Sequence, residues 1–329
     1  MPYRAPYWSP AEASAILFDW DGVIAETQLD FSGIREKYYN GRRAMLLEDS
    51  VTLQPDIRAA LMRDLKELEM RGAYGSKPVP GIFQILEWVE SKRIPWAVVS
   101  RNCRDSIIAA AESCGVQLPE IVRSRDDGEA VKPDPQALLE TCGALGVSPS
   151  QTLFIGDFIY DMIGARRTGM RGVLVRRTIE SDWSPWLECA FTSMDQLLDE
   201  LFSPSQMIPW EYQETVERFG RAFLEETFSK TVAVPTNALP DIATWVATAA
   251  SLGVGAFAVP DEKLTPQMWK RNRLFDTAWM GMSLMDALAR FLRTRFPFVA
   301  LYAWTGDEKT PPVHAEDLEK FLCADSDRR

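Results

Sequence analysis

Histidine is nearly absent: the chain has one, His314, near its C-terminus. That removes most Ser-His and Cys-His mechanisms from consideration. Cysteine is sparse and scattered. Cys103, Cys114, Cys142, Cys189 and Cys323 are odd in number and no two stand at CxxC spacing. Neither a disulfide framework nor a zinc site is therefore expected, and the thiols read as buried groups in a reducing cytosol. The opening "MPYRAPYWSPAEAS" lacks the basic-then-apolar run of a secretory leader. Long apolar runs are missing too. The most apolar segment, 275–292, is broken by Asp276, Asp286 and Arg290 and reads as a core helix, not a membrane span. Positive charge is in short supply: 36 Lys and Arg stand against 47 Asp and Glu, a formal net charge of -11. Such a surface repels polyanions, which argues against nucleic acid as a partner. A cytoplasmic location and no membrane partner are the expectation.

What is present is a core-sized amount of apolar sequence: 329 residues, 46% of them hydrophobic, are enough for two domains. From residue 15 to about 203, short apolar runs ("AILF", "PWAVVS", "QTLFIGD", "RGVLV") alternate with amphipathic stretches ("GIFQILEWVESK", "RDSIIAAAESCG", "DPQALLETCGALG", "DMIGARRTG", "MDQLLDELF"). "PEIVRS" and "ECAFTS" read as further short strands. This alternation predicts an α/β domain, a Rossmann-like parallel sheet flanked by helices over 1–203. Residues of about 28–78 interrupt it with helical spacing and read as a small helical cap over the strand ends. The remainder, 204–329, reads as a mainly helical, Trp-rich domain. Helices are expected at 211–230, 239–252 and 265–294, with an extended run at "FPFVALYAW" and a disordered "CADSDRR" tail. Its aromatic residues read as core.

Four predicted strand ends carry polar groups of complementary kinds. "DWDGVIAET" supplies Asp19 and Asp21, "VVSRN" supplies Ser100, Arg101 and Asn102, "KPDP" supplies Lys132, and "GDFIYD" supplies Asp157 and Asp161. In a parallel sheet these ends converge on one rim. Like charges so close need a cation, and an oxygen-only donor set suits Mg²⁺. With charge compensated, Asp19 can act as a nucleophile on phosphorus and Asp21 can give and take the proton. Ser100 suits a phosphoryl oxygen, and Lys132 supplies positive charge to nucleophile and phosphoryl group alike. Arg101 and Asn102 join the phosphate-binding candidates, Arg101 reading also as a positioning residue and Asn102 as a helix cap. Asp161 reads as a metal ligand that could equally cap the following helix. Gly22 reads as a turn residue, Thr27 as structural, and the cap bases Arg35, Lys37, Arg42 and Arg43 as a solvated face.

Those four segments, in that order, resemble the motifs of the haloacid dehalogenase-like hydrolase superfamily, over residues 15 to about 203. The resemblance implies an aspartyl-phosphate on Asp19, acid/base duty for Asp21, and Mg²⁺ held by Asp19, Asp157, Asp161 and the backbone carbonyl of Asp21. Asp21 itself resembles the phosphatase and phosphomutase branches, since dehalogenase and phosphonatase branches lack it. The short cap looks like phosphoglycolate phosphatase-like members. Val23 and Phe158 depart from the commoner residues at their positions, and nothing after about 203 resembles the family.

The expected function is a Mg²⁺-dependent phosphatase for a small phosphorylated metabolite. A phosphosugar mutase on the same site is the alternative. A third reading, of another class, makes the first domain a sensor or scaffold whose C-terminal domain forms a homodimer or binds a protein partner.

Overall fold

The computed structural model describes residues 6–128, 130–179, 183–235, 241–293 and 295–304. The chain forms two compact units: Ala13–Pro204, and Met1–Glu12 grouped with Ser205–Arg329. Division of the sequence near 203 leaves the first residues with the α/β part. The backbone instead carries them to the other unit, where Trp8 and Met207 exchange N–H···O bonds of 3.2 and 3.1 Å. His314, Cys323 and the "CADSDRR" tail lie outside the described residues.

In the first unit, β1 (Ala15–Phe18) is followed by the two-residue β2 (Ala25–Glu26), helices α1 (Ser32–Tyr39) and α2 (Pro55–Tyr74), and β3 (Lys77–Pro78), which pairs antiparallel with β2. Then come α3 (Ile82–Ser91), β4 (Trp96–Val99), α4 (Arg104–Cys114), β5 (Val122–Arg123), α5 (Gln136–Leu145), β6 (Thr152–Gly156), α6 (Ile159–Thr168), β7 (Arg171–Val175), β8 (Cys189–Phe191) and α7 (Met194–Phe202). The six-stranded sheet runs β5-β4-β1-β6-β7-β8, with every pairing parallel. Each residue of β1, β6 and β7 is buried, as expected of strands covered on both faces. Leu17, Phe154 and Leu174 pack against Leu138, Met162 and Ala165 of the covering helices. Strand order reverses on either side of β1, so the crevice for a ligand opens at its carboxyl end.

The cap is α1, α2 and the loop joining them, with its own small core of Ile34, Tyr39, Leu46, Leu61 and Leu65. The helical spacing read over about 28–78 includes "FSGIREKYYNGRRAMLL", where the first helix is shorter than the pattern. It stops at Tyr39 because Asn40 takes a left-handed conformation, φ 51°, which terminates α-helices.

The second unit contains α8 (Gln213–Phe219), α9 (Arg221–Phe228), β9 (Thr231–Ala233), α10 (Ile242–Ser251), β10 (Ala256–Pro260), α11 (Pro266–Arg271), α12 (Leu284–Arg293) and β11 (Ala300–Trp304). Helices predominate, and a parallel sheet in the order β11-β10-β9 accompanies them. Trp245, Trp269 and Trp279 pack against its core around Phe257, Leu288 and Phe291. Two long predicted helices are broken. The first splits at Gly220, whose φ of 85° no continuing helix can hold.

The second, over 265–294, is divided by side chains that serve other partners. Asn272, buried, accepts from the Ala243 N–H of α10 at 2.8 Å and donates to the Met268 carbonyl at 2.6 Å, closing α11. Ser283 then accepts the Asp286 N–H at 3.0 Å and starts α12. Residues 275–292 are accordingly helical only in part. Replacing Asn272 with Leu strands a buried N–H and should cost about 1–3 kcal/mol. Urea unfolding followed by tryptophan fluorescence measures it, and a variant as stable as the parent contradicts the assignment.

Candidate active site

Asp19 leaves β1 with its N–H bonded to the Ile155 carbonyl of β6 at 2.9 Å. This pins the first acidic residue beside the end of the second acidic strand. Its carboxylate meets the Lys132 ammonium at 2.6 Å, and Asp161 meets the same ammonium at 2.7 Å. Lys132 is 1% exposed and Asp161 2%, whereas Asp19 and Asp157 each keep 13% of their side-chain surface open to solvent. The other oxygen of Asp161 accepts the Phe158 N–H at 3.1 Å. Asp161 thus stands in the first turn of α6, not at its cap position, and both of its oxygens are used. Carboxylate oxygens of Asp19, Asp157 and Asp161 lie within 4.8 Å of one another.

Gly22 explains how the first loop fits against this group. Its φ is +72°, and a Cβ there would sit 2.2 Å from an Asp157 oxygen. Any larger residue would displace the carboxylate, in addition to the strain of that backbone conformation. Asp157 also receives the Arg177 guanidinium at 3.0 Å. Burial is the main reason its carboxyl is pushed up to about 6, with the Asp161 charge adding and Arg177 opposing.

Asp21 turns to different partners. Thr27 donates its hydroxyl to Asp21 Oδ1 at 2.5 Å, and Asn102 bonds the same carboxylate. Burial nevertheless pushes Asp21 up to about 6, assisted by the Glu69 and Asp157 charges. Burial likewise drives Asp19 well above the usual carboxylate range, and Asp161 adds to it while Lys132 opposes. For Lys132 burial acts against the charge, but Asp161 and Asp19 outweigh it and the ammonium is held more firmly than usual.

Ser100, at the end of β4, is buried and accepts the Asn102 N–H at 3.1 Å. Asn102 does not cap α4. The N–H of Cys103 there goes instead to Glu69 of the cap helix α2 at 3.1 Å, and Glu69 also pairs with Arg125. Arg101 is engaged elsewhere: its guanidinium grips both oxygens of Glu48 at 2.6 and 2.9 Å, donates to the Lys132 carbonyl, and lies 4.9 Å above the Tyr160 ring. The structure therefore gathers Asp19, Lys132, Asp157 and Asp161 in one cluster, with Asp21, Asn102 and Ser100 along the same rim. Arg101 serves the joint between cap and sheet.

Sequence reading missed Thr27 as an Asp21 partner, along with Glu48, Glu69, Arg177 and Tyr160. Lys37 behaves as read, pairing with Asp64 on an exposed face. No described helix is long and apolar enough to cross a membrane.

A parallel α/β sheet with carboxylates and a lysine converging past its central strands defines a hydrolase-type centre of one class. A family model described as haloacid dehalogenase-like hydrolase matches residues 36–175, beginning beyond Asp19 and Asp21. The N-acetylmuramic acid 6-phosphate phosphatase of Pseudomonas aeruginosa is 30% identical over 187 residues, 49% of this chain and 81% of that protein. The phosphoglycolate phosphatase of Caulobacter vibrioides is 25% identical over 186 residues, 49% of this chain and 78% of that protein. A crystal structure of a hydrolase from Pseudomonas syringae superimposes with a TM-score of 0.51 at 19% identity, covering 58% of this chain and 99% of that one. The chain belongs to the haloacid dehalogenase-like hydrolase family.

The ammonium at the centre gives a direct test of these electrostatics. Lys132→Met leaves Asp19 and Asp161 buried without their cation and should cost about 3–5 kcal/mol in chelator at pH 7.5. With Lys132 gone, nothing opposes the burial that already raises the Asp19 carboxyl, which binds its proton more tightly folded than unfolded, so falling pH relieves the penalty. Urea unfolding at pH 5 should recover much of the loss, and an equal deficit at both pH values contradicts this account.

Proposed function

We propose that the protein is a Mg²⁺-dependent phosphatase acting on a small phosphomonoester through an aspartyl-phosphate on Asp19. The observation that carries the reading is the shared Lys132 ammonium, 2.6 Å from Asp19 and 2.7 Å from Asp161, with Asp157 in the same cluster. The activities of the relatives, phosphatases of N-acetylmuramic acid 6-phosphate and of phosphoglycolate, support it.

Asp19, Asp157 and Asp161 offer an all-oxygen donor set, which fits a hard divalent cation, and the backbone carbonyl of Asp21 would complete it. Bound there, Mg²⁺ would neutralise phosphoryl charge and let an anionic nucleophile approach an anionic substrate. The protein's own groups carry the remaining work. Asp19 attacks phosphorus and the bond to the leaving oxygen breaks. Asp21, whose carboxyl is pushed up to about 6, supplies the proton that the leaving alkoxide needs. It then accepts a proton from the water that cleaves the acyl phosphate, restoring Asp19 and releasing phosphate. Ser100 and Lys132 hold the phosphoryl oxygens, and Thr27 with Asn102 keeps the Asp21 carboxyl aimed.

Asp19→Asn should abolish Mg²⁺-dependent hydrolysis of p-nitrophenyl phosphate while circular dichroism stays that of the parent; retained turnover refutes the nucleophile. Asp21→Asn should lower kcat by about 10²–10⁴. Thr27→Val, which removes only the aiming hydroxyl, should reduce kcat more than it changes KM. An unchanged kcat would return Thr27 to a purely structural role.

A further inference from the structure

The C-terminal unit holds a cavity of about 460 Å³ between residues 273–279, in the segment that joins α11 to α12, and the C-terminal end of α12 with Arg295. Arg273, Arg290, Arg293 and Arg295 line it together with Phe275 and Trp279. In a chain of net charge -11, residues 271–295 carry five arginines, two aspartates and no lysine. Asp276 also lines the cavity, and both aspartates are used locally. Asp276 accepts the Ala278 N–H at 2.9 Å, and Asp286 accepts the Ser283 hydroxyl at 2.7 Å. Arg295 donates to the Phe291 carbonyl at 3.0 Å and lies 4.6 Å above the Phe291 ring. Among the described residues no carboxylate forms an ion pair with any of these four guanidinium groups.

Four like charges around one concavity repel each other unless an anion joins them. Guanidinium is the cation whose planar fork matches phosphate oxygens two at a time. The other wall is aromatic, with Phe275 and Trp279 ring centroids 6.1 Å apart, and an aromatic face accepts a planar heterocycle by stacking. The volume lies within the range of about 300–1,000 Å³ usual for small-ligand pockets. We propose that this cavity binds a nucleotide bearing two or more phosphates, the phosphates on the arginines and the base against Trp279. The site lies wholly within the C-terminal unit and is independent of the carboxylate cluster of the first.

Isothermal titration of the full chain with ATP, in chelator so that no divalent cation is present, tests the proposal. ATP should bind the wild type, and the Arg290→Gln/Arg293→Gln double variant should raise Kd at least about tenfold. The double Lys variant, which keeps charge and loses the fork, should fall between them. Trp279→Leu should weaken ATP while leaving inorganic tripolyphosphate unchanged. Asp19→Asn should bind ATP as the wild type does. Absence of ATP binding, equal affinity in the arginine double variant, or tripolyphosphate binding as tightly as ATP overturns the proposal. Tighter ATP binding in Asp19→Asn also overturns it, by placing the ATP at the carboxylate cluster of the first unit, where loss of a negative charge favours an anion.

Discussion

A single buried ammonium organises the catalytic half of the molecule. Lys132 is 1% exposed and touches Asp19 on one side and Asp161 on the other. Removing an ammonium from water costs several kcal/mol, and only close, well-oriented carboxylates repay that. The end of β1, the first turn of α6 and the loop ahead of α5 must therefore meet at one point. The resulting charge balance remains negative, since Asp157 and Asp21 stand on the same rim. Burial pushes both of those carboxyls up to about 6. Carboxyls held this far from their ordinary range, around one buried ammonium, are what the proposed cation site and proton transfer rest on.

The cap is joined to that rim by two glutamates in unlike surroundings. Glu69 of α2 is 3% exposed where it meets Arg125, whose side chain is 9% exposed. Glu48, in the loop between α1 and α2, meets Arg101 with exposures of 30% and 23%. A pair stripped of water leaves an uncompensated charge when broken, whereas a wetter pair is readily replaced by solvent. The C-terminal half of α2 is thus the firm attachment, and the Glu48 contact is the weaker one. Arg101 also touches the Lys132 carbonyl and the Tyr160 ring, so the weaker contact is the one joined directly to the backbone of the buried lysine.

Much of this was legible in the residues. Continuous apolar runs such as "AILF" can only be strands covered on both faces, and a carboxylate placed just beyond one must face the rim. The cluster of Asp19, Lys132, Asp157 and Asp161 followed from that logic. Thr27 was not legible as an Asp21 partner, because its contact depends on how the chain turns through Gly22 into β2. Glu48 and Glu69 sit in helical patterns that carry no sign of what lies across the gap. The broken helices over 211–230 and 265–294 failed for another reason. Apolar periodicity survives a break, and the break is set by Gly220 and by Asn272, whose side chain serves the Ala243 N–H of a separate helix.

The two units also differ in how they handle anions. At the carboxylate cluster negative charge is in excess over the single Lys132 ammonium, so an anion would be repelled there unless a further cation joined it. Around the arginine-lined cavity of the C-terminal unit, positive charge is already fixed in the protein, and among the described residues the one carboxylate in its lining, Asp276, is bound to the Ala278 N–H. An acidic chain gains nothing for solubility from crowding five arginines into 25 residues, and their mutual repulsion counts against folding. The placement of four of them about an aromatic-walled cavity, instead of along a carboxylate-rich face, is the arrangement in which a bound polyanion offsets that repulsion.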